Sequence, residues 1–380
     1  MGPLAGIRII ELGGIGAVPF CALLLADLGA DVLRIDRIVP SDSGVDMERR
    51  FHLLNRGRRS IAMDLKHPAA VAAVKRLAVR ADGLAEGFRP GVTERMGLGP
   101  DALFEVNPRL VYGRLTGWGQ DGPLAQAPGH DINYIALSGV LHSIGRAGAP
   151  PTPPLNLVGD LGGGALYLAM GMLAALLEAR GSGRGQVVDT SMAEGSASLM
   201  MLMYGMRAAG LWSDERAVNR LDSGYPWYDS YRTSDGKYVA FGAQEPRFYK
   251  DLLVRLGLHD LLPLDRYDPR HWPQLRERIG AVIATRTRDA WCALLDDSEA
   301  CFAPVLSMGE APRHPQFRAR GSFVELEGVV QPGPQPRFSR TPASIQRGVP
   351  GVGEHTDEAL ADWGFGADEI ADLRRSGAVA

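Results

Sequence analysis

The chain has 380 residues, with 41 Lys and Arg against 44 Asp and Glu for a net charge of -3, and 45% hydrophobic against 22% charged residues. That is enough for one large domain or two ordinary ones with a sizeable core. The near-balanced charge excludes a global field that would gather nucleic acid or an anionic membrane. Only four of the 41 basic residues are lysines (Lys66, Lys75, Lys237, Lys250), leaving 37 arginines. Most of that bias reads as genome composition, although guanidinium forks suit phosphate oxygens wherever they line a cleft.

In chain order, Ile7–Glu11 reads as a strand, Phe20–Leu28 as a helix and Val32–Asp36 as a second strand. Ser60–Asp64 is a further strand, Pro68–Val79 a helix with Ala and Val at helical spacing, and Leu110–Leu115 another strand. Strands apolar on both faces and alternating with helices predict a parallel sheet with crossover helices. A Gly- and Ala-rich helical stretch, Gly162–Ala179, ends in the turn Arg180–Arg184. The strand Gln186–Asp189 and one long Met-rich helix, Met192–Ala209, follow. The methionines read as core or as an adaptable apolar surface.

A hairpin is expected around Ser234-Asp235-Gly236, then helices over Pro246–Leu256 and Trp272–Thr285. Residues 303–350 look irregular, and Thr356–Arg375 reads as two short helices. These elements predict an α/β fold: a large Rossmann-like parallel-sheet domain over 1–200 and 325–380, a linker 201–224 and a smaller α+β domain over 225–324.

Cys21, Cys292 and Cys301 lie far apart and fit reduced thiols in a cytoplasmic protein. The N-terminal stretch lacks the pattern of a signal peptide, and Ala-Val-Ala at the C-terminus is not a peroxisomal address. No apolar run is expected to span a membrane; the longest candidate, Ala165–Leu177, is broken by Tyr167 and Gly171. No phosphate loop, nucleophile elbow or metal-ligand spacing of His and Cys occurs. Gly14-Ile-Gly16-Ala-Val-Pro19 imitates a dinucleotide fingerprint, and Asp36 stands where a ribose-binding acid would. The third glycine is replaced by Pro19, which argues against NAD; a helix N-terminus facing some other nucleotide stays open.

The chemistry-bearing residues cluster in two motifs. Gly129-His130-Asp131-Ile-Asn133-Tyr134 follows a glycine-rich turn and opens a helix. Asn156-Leu-Val-Gly159-Asp160 leads into three glycines, which destabilise a helix and suggest that a ligand or another backbone comes close. A third element, Gly242-Ala-Gln-Glu245-Pro246, sets a carboxylate before a helix-opening proline. Each has a plain structural reading: His130 as a structural histidine, Asp160 and Glu245 as helix caps.

Taken together, TGWGQDGP, PGHDINY, PPLNLVGDLGGG, GRGQVVDTSM and EGFRPGVTERMGLGP resemble the α-methylacyl-CoA racemases of the family III CoA-transferase superfamily. LGADVLRID and NRGRRSI add to the likeness, which runs over nearly the whole chain. The resemblance implies proton transfer between His130 and Asp160 on opposite faces of a 2-methylacyl-CoA α-carbon. No metal or organic cofactor is implied, because the thioester carbonyl delocalises the enolate charge. Glu245 would fix His130, and Asn156 with backbone amides would hold the enolate oxygen. Arg37 and Arg95 would bind CoA phosphates, Met63, Leu65, Lys66, Gly87 and Arg89 would wall the nucleotide, and Asp131 and Tyr134 would line the pocket. The family likeness also implies a homodimer with the site between subunits. A CoA-transferase with Asp160 as nucleophile is the chief alternative; a CoA-binding protein without activity and an NAD oxidoreductase are the others.

Overall fold

The structure, a computed structural model, describes residues 2–39 and 45–380. They form two compact units, Met1–Ser138 with Leu155–Leu199 and Pro315–Ala380, and Gly139–Pro154 with Met200–His314.

The first unit is built on six parallel strands: β1 Arg8–Leu12, β2 Asp31–Asp36, β3 Arg59–Ala62, β4 Gly83–Glu86, β5 Val111–Thr116 and β6 Val187–Ser191. They lie in the order β3-β2-β1-β4-β5-β6. Successive side chains of a strand point to opposite faces. Ile10, Leu33, Leu84 and Tyr112 therefore enter one core, with α2 (Pro68–Ala78) and the C-terminal helices Thr356–Asp362 and Ala367–Arg375. Their neighbours Ile9, Val32, Ala85 and Val111 enter the other, with α1 (Ala17–Asp27). The expected Rossmann-like sheet is thus present, with helices on both faces.

β4 is a strand that sequence pattern alone misses, because Gly-Leu-Ala-Glu carries one large apolar residue. It is one of the two central strands, and its first residue has to be small: a Cβ on Gly83 would lie 2.9 Å from Ile9 Cδ1 and 3.1 Å from Met172 Cε.

Beyond β5 comes the helix α3, Asp131–Leu137. The glycine-rich stretch then begins earlier than expected, as a π-helix over Leu157–Leu166 that runs into α4, Tyr167–Ser182, and stops at Gly183 in the left-handed conformation. Taken as one helix, Leu157–Ser182 is long and apolar enough to cross a membrane by length and composition alone. Its Ala165, Leu168, Met172, Ala175 and Ala179 nevertheless pack into the second core. The long Met-rich helix is two, α5 (Met192–Leu199) and α6 (Met201–Ala208), broken at Met200 where the chain leaves the first unit.

The second unit carries a three-stranded antiparallel sheet, β7 (Ser230–Arg232), β8 (Tyr238–Phe241) and β9 (Phe302–Val305), in that order. The β7–β8 hairpin turns at Ser234-Asp235-Gly236, as its sequence predicts. Helices α7 (Pro246–Arg255), α8 (Trp272–Ile283) and α9 (Arg288–Leu295) cover it around Trp227, Leu252, Ile279 and Trp291. Residues 201–224 are not a free linker but part of this unit, together with the excursion 139–154. The cause is a set of hydrogen bonds joining the two segments: Arg216 donates to the carbonyls of His142 (3.0 Å) and Ala149 (2.9 Å), and the His142 ring meets the Asp214 carbonyl at 2.8 Å. The stretch expected to be irregular contains a second hairpin, Phe323–Leu326 with Val329–Pro332, closed by Glu327 and Gly328 at positive φ.

Candidate active site

Connections leave β1 and β4 toward opposite edges of the sheet, which opens a crevice at their carboxyl ends, the usual place for a ligand in such sheets. Two cavities of the first unit lie there. One, of about 480 Å³, is lined by Gly87–Pro90 after β4, Leu115–Trp118 at the end of β5, and Gly129, His130, Asn133 and Tyr134. The other, of about 690 Å³, is lined by Asp36–Val39 at the end of β2, Met63–Lys66 after β3, and Phe88. Phe88 is therefore a wall common to both.

His130 is the N-cap of α3, in extended backbone, and is exposed at the first cavity. Its N–H donates to Asn133 Oδ1 at 3.0 Å, and its carbonyl accepts from Asn133 N–H at 2.8 Å, so the start of the helix is locked from both sides. Tyr134 is wedged between Gly117 and Gly129. A Cβ at either glycine would sit 2.1 Å or 2.7 Å from the ring, and the Tyr134 hydroxyl donates to the Gly129 carbonyl. Trp118 meets that ring edge-on at 4.9 Å.

Asp160 is half-buried on the π-helix, whose wide turn is marked by Leu161 N–H donating back to the Asn156 carbonyl at 3.3 Å. Glycine makes that turn possible. Gly163 lies against α5, where its Cβ would stand 2.5 Å from Ser196 N, and a Cβ on Gly195 would stand 1.9 Å from the Gly163 carbonyl oxygen. The expected close approach after Asp160 is thus another backbone. The Asn156 amide donates to Asp160 Oδ2 at 3.3 Å, and Gly16, at φ 75°, would bring a Cβ within 3.7 Å of the same oxygen. Asp160 N–H donates to Asp131 Oδ1 at 2.7 Å. Burial raises the proton affinity of Asp160; the Asn156 bond opposes this, the Asp131 charge adds to it and the nearby His130 counters it. Burial likewise raises the Tyr134 hydroxyl, with the Asp160 charge next in importance.

The structure thus gathers His130, Asp131, Tyr134, Asn156 and Asp160 around one helix start. Asp160 itself does not line the 480 Å³ cavity, and Asp131 is buried and lines neither. Gly87 and Arg89 line the first cavity; Arg37, Met63, Leu65 and Lys66 line the second. Arg95 ends a short helical turn, exposed, with its guanidinium beside Gly91, and lines neither. Glu245 belongs to the second unit, where it is the exposed N-cap of α7 and its side chain makes no capping bond. Among the described residues, no three His, Cys, Asp or Glu side chains are placed to hold a metal ion.

Sequence reading missed what holds the crevice open. Glu11, fully buried at the end of β1, takes Arg34 Nη1 on one oxygen and Arg58 Nη1 on the other, each at 2.6 Å. Arg34 also donates to the Gly14 carbonyl and Arg58 to the Pro19 carbonyl, both at 3.1 Å, so the pair fixes the turn into α1. Asp36 accepts from Arg34 Nε and Ser60 Oγ, which engages both oxygens that a ribose would need. After β4, Glu86 accepts from Arg114 Nε at 2.9 Å and from Phe88 N–H at 2.7 Å, fixing the Phe88 wall. The EGFRPG motif was the available signal for that wall.

The model of CoA-transferase family III matches residues 4–356. The α-methylacyl-CoA racemases of Mus musculus and Homo sapiens are each 44% identical to the chain, over 97% of it and 96% of their own length. A solved hypothetical protein of Mycobacterium tuberculosis superposes with a TM-score of 0.79 at 26% identity, covering 94% of this chain and 99% of that one. The sheet order, the crevice at its switch point and these likenesses agree: the chain belongs to CoA-transferase family III.

Proposed function

We propose that this chain is an α-methylacyl-CoA racemase, interconverting (R)- and (S)-2-methylacyl-CoA thioesters. The observation that carries the reading is that His130, at the mouth of a cavity, is tied to Asp160 through the adjacent Asp131. The 44% identity to two racemases over almost the whole chain supports the same branch of the family.

In one direction the neutral His130 imidazole takes the α-proton, and the electron pair of the C–H bond moves to the thioester oxygen as an enolate. Protonated Asp160 then delivers its proton to the opposite face of the α-carbon. In the other direction the roles exchange. Burial of Asp160 favours its protonated form, as a donor requires. Asn156, which already donates to Asp160 Oδ2, fixes that carboxyl and stands near the enolate oxygen. The thioester is its own electron sink, so no added cofactor enters the scheme. Arg37 and Lys66 in the 690 Å³ cavity suit CoA phosphates, and the 480 Å³ cavity suits the thioester and the start of the acyl chain. Arg95 is a third candidate for a phosphate.

A homodimer fits the exposed apolar surface. Leu166, Met170 and Leu177 share one face of the Leu157–Ser182 helix, and α6 buries no residue while exposing Met201, Leu202 and Tyr204. In such a dimer Glu245 of one copy orients His130 of the other. The free thiols of Cys21, Cys292 and Cys301 suit a cytoplasmic enzyme, and 2-methyl-branched fatty acids are one class whose CoA esters carry the α-carbon this reaction needs.

A transferase would use Asp160 as a nucleophile instead. The deciding experiment is solvent deuterium exchange into each pure enantiomer of a 2-methylacyl-CoA, without an acyl acceptor, read by NMR. Wild type exchanges both. His130→Ala exchanges only the enantiomer whose proton faces Asp160, and Asp160→Ala only the other. A covalent adduct trapped on Asp160 with no exchange in wild type would establish the transferase; wild-type racemisation by His130→Ala would end the two-base scheme.

A further inference from the structure

We infer that Asp131 is a positioning residue: its carboxylate braces the Asp160 peptide and so sets where Asp160 stands relative to His130. The inference rests on the racemase reading above but assigns Asp131 a role different from lining the substrate pocket.

Four observations converge. His130 and Asp131 are consecutive, the N-cap and first residue of α3, so the base and the brace are set by one helix start. Asp131 is only 6% exposed and lines neither cavity, whereas its Oδ1 accepts the Asp160 N–H at 2.7 Å across 29 residues of sequence. The approach has been cleared by glycine: a Cβ on Gly159 would stand 2.4 Å from that same Oδ1 and 2.8 Å from Cγ. Finally, Asp131 Oδ2 is buried and takes no hydrogen bond from any described residue, so no cation draws this carboxylate elsewhere.

The geometry gives the brace a double effect. A charge-assisted bond to a backbone N–H holds the first turn of the π-helix in place. The same charge raises the proton affinity of Asp160, beside the larger effect of burial. The other groups that face Asp160 are His130 and Tyr134 from α3 (the Asp160 charge acts on the Tyr134 hydroxyl), Asn156 from its own π-helix and the Gly16 turn before α1. Among these Asp131 alone supplies a negative charge and a backbone restraint together.

The test uses the full-length protein and the deuterium exchange assay, one enantiomer at a time. The Asp160 face is defined as the one that Asp160→Ala silences. Asp131→Ala lowers exchange on that face by roughly 10- to 100-fold, the effect of a misplacement near 1 Å, and leaves the His130 face and KM within about threefold. Asp131→Asn keeps an oxygen for the Asp160 N–H, so it restores most of the loss. It also moves the ascending limb of the Asp160-face pH profile to lower pH, because the neighbouring negative charge is gone. Gly159→Ala, which pushes the carboxylate away without altering it, reproduces the face-selective loss, and it decides the matter if Asp131→Ala does not fold. Equal loss on both faces, a rise in KM with exchange intact, or an Asp131→Asn variant no better than Asp131→Ala would overturn the inference. Wild-type protein that exchanges neither enantiomer would instead remove the racemase reading, and the brace with it.

Discussion

Replacing Gly163 by alanine isolates the contact on which the π-helix depends. The new Cβ would stand 2.5 Å from Ser196 N and 2.7 Å from Ser196 Oγ, and ordinary contact begins at 3.4 Å, so the π-helix and α5 must part by about 0.9 Å. Overpacking of this kind costs roughly 1–3 kcal/mol, and alanine returns up to about 1 kcal/mol through its better helical propensity. The net loss of stability is about 0–3 kcal/mol, up to several degrees in Tm. Asp160 lies three residues upstream on the same turn, and a shift near 1 Å at a reacting group lowers turnover by about two decades. The expected signature is a modest change in thermal melting with a large fall in kcat, measured as loss of optical purity of a 2-methylacyl-CoA. Gly181 is the control. It lies in α4, and no heavy atom of the described residues comes within 4 Å of where the new methyl would stand, so Gly181→Ala should raise Tm slightly and leave kcat alone. A Gly163→Ala protein that turns over at the wild-type rate would show that the glycine contact does not place Asp160.

Asp160→Asn should melt at a higher temperature than wild type at neutral pH. The folded protein raises the proton affinity of Asp160, so its ionisation opposes folding once pH exceeds the usual carboxylate range, and asparagine lacks that penalty. The advantage should vanish as pH falls below that range; an equal gain at all pH values would point to packing instead. Arg37→Ala should raise KM about 10- to 100-fold with kcat little changed, since a phosphate contact worth roughly 1.5–3 kcal/mol binds ground and transition states alike. The rise should shrink with added salt, and a fall in kcat alone would contradict the assignment. Glu245→Gln should lower kcat by roughly one to three decades without unfolding, as loss of support to a general base does; unchanged activity would leave it no part in the reaction.

Large apolar strands were legible because they are buried on both faces: Ile9 and Ile10, or Val32 and Leu33, announce a two-sided sheet by composition. β4 was not, since its place against Ile9 and Met172 demands a glycine, which removes the very signal that identifies strands. The π-helix escaped for a related reason. Periodicity sees glycines as a break, whereas here they let two backbones touch. His130 and Asp160 stood out as chemistry-bearing residues next to turn signals, but the bond through Asp131 joins positions 29 apart, and only the folded chain brings them together. The break at Met200 has no proline or glycine to mark it; the change of unit explains it.

The Glu11–Arg34–Arg58 triplet has a consequence for how this chain can change over generations. With all three side chains out of water, deleting either arginine leaves one Glu11 oxygen without its donor, at about 1–3 kcal/mol, and deleting Glu11 leaves two buried guanidinium groups without their shared carboxylate, at a cost of about 3–5 kcal/mol. That is a large part of the ~5–15 kcal/mol that keeps a typical domain folded. Replacing all three together by well-packed apolar residues removes the buried charges and leaves only Asp36 without its Arg34 partner, but every path of single steps crosses less stable intermediates. The three positions, drawn from β1, β2 and the entry to β3, are inherited as one character. Exposed arginines such as Arg270 and Arg375, each bound among the described residues only to a neighbour on its own turn, are free to drift one at a time.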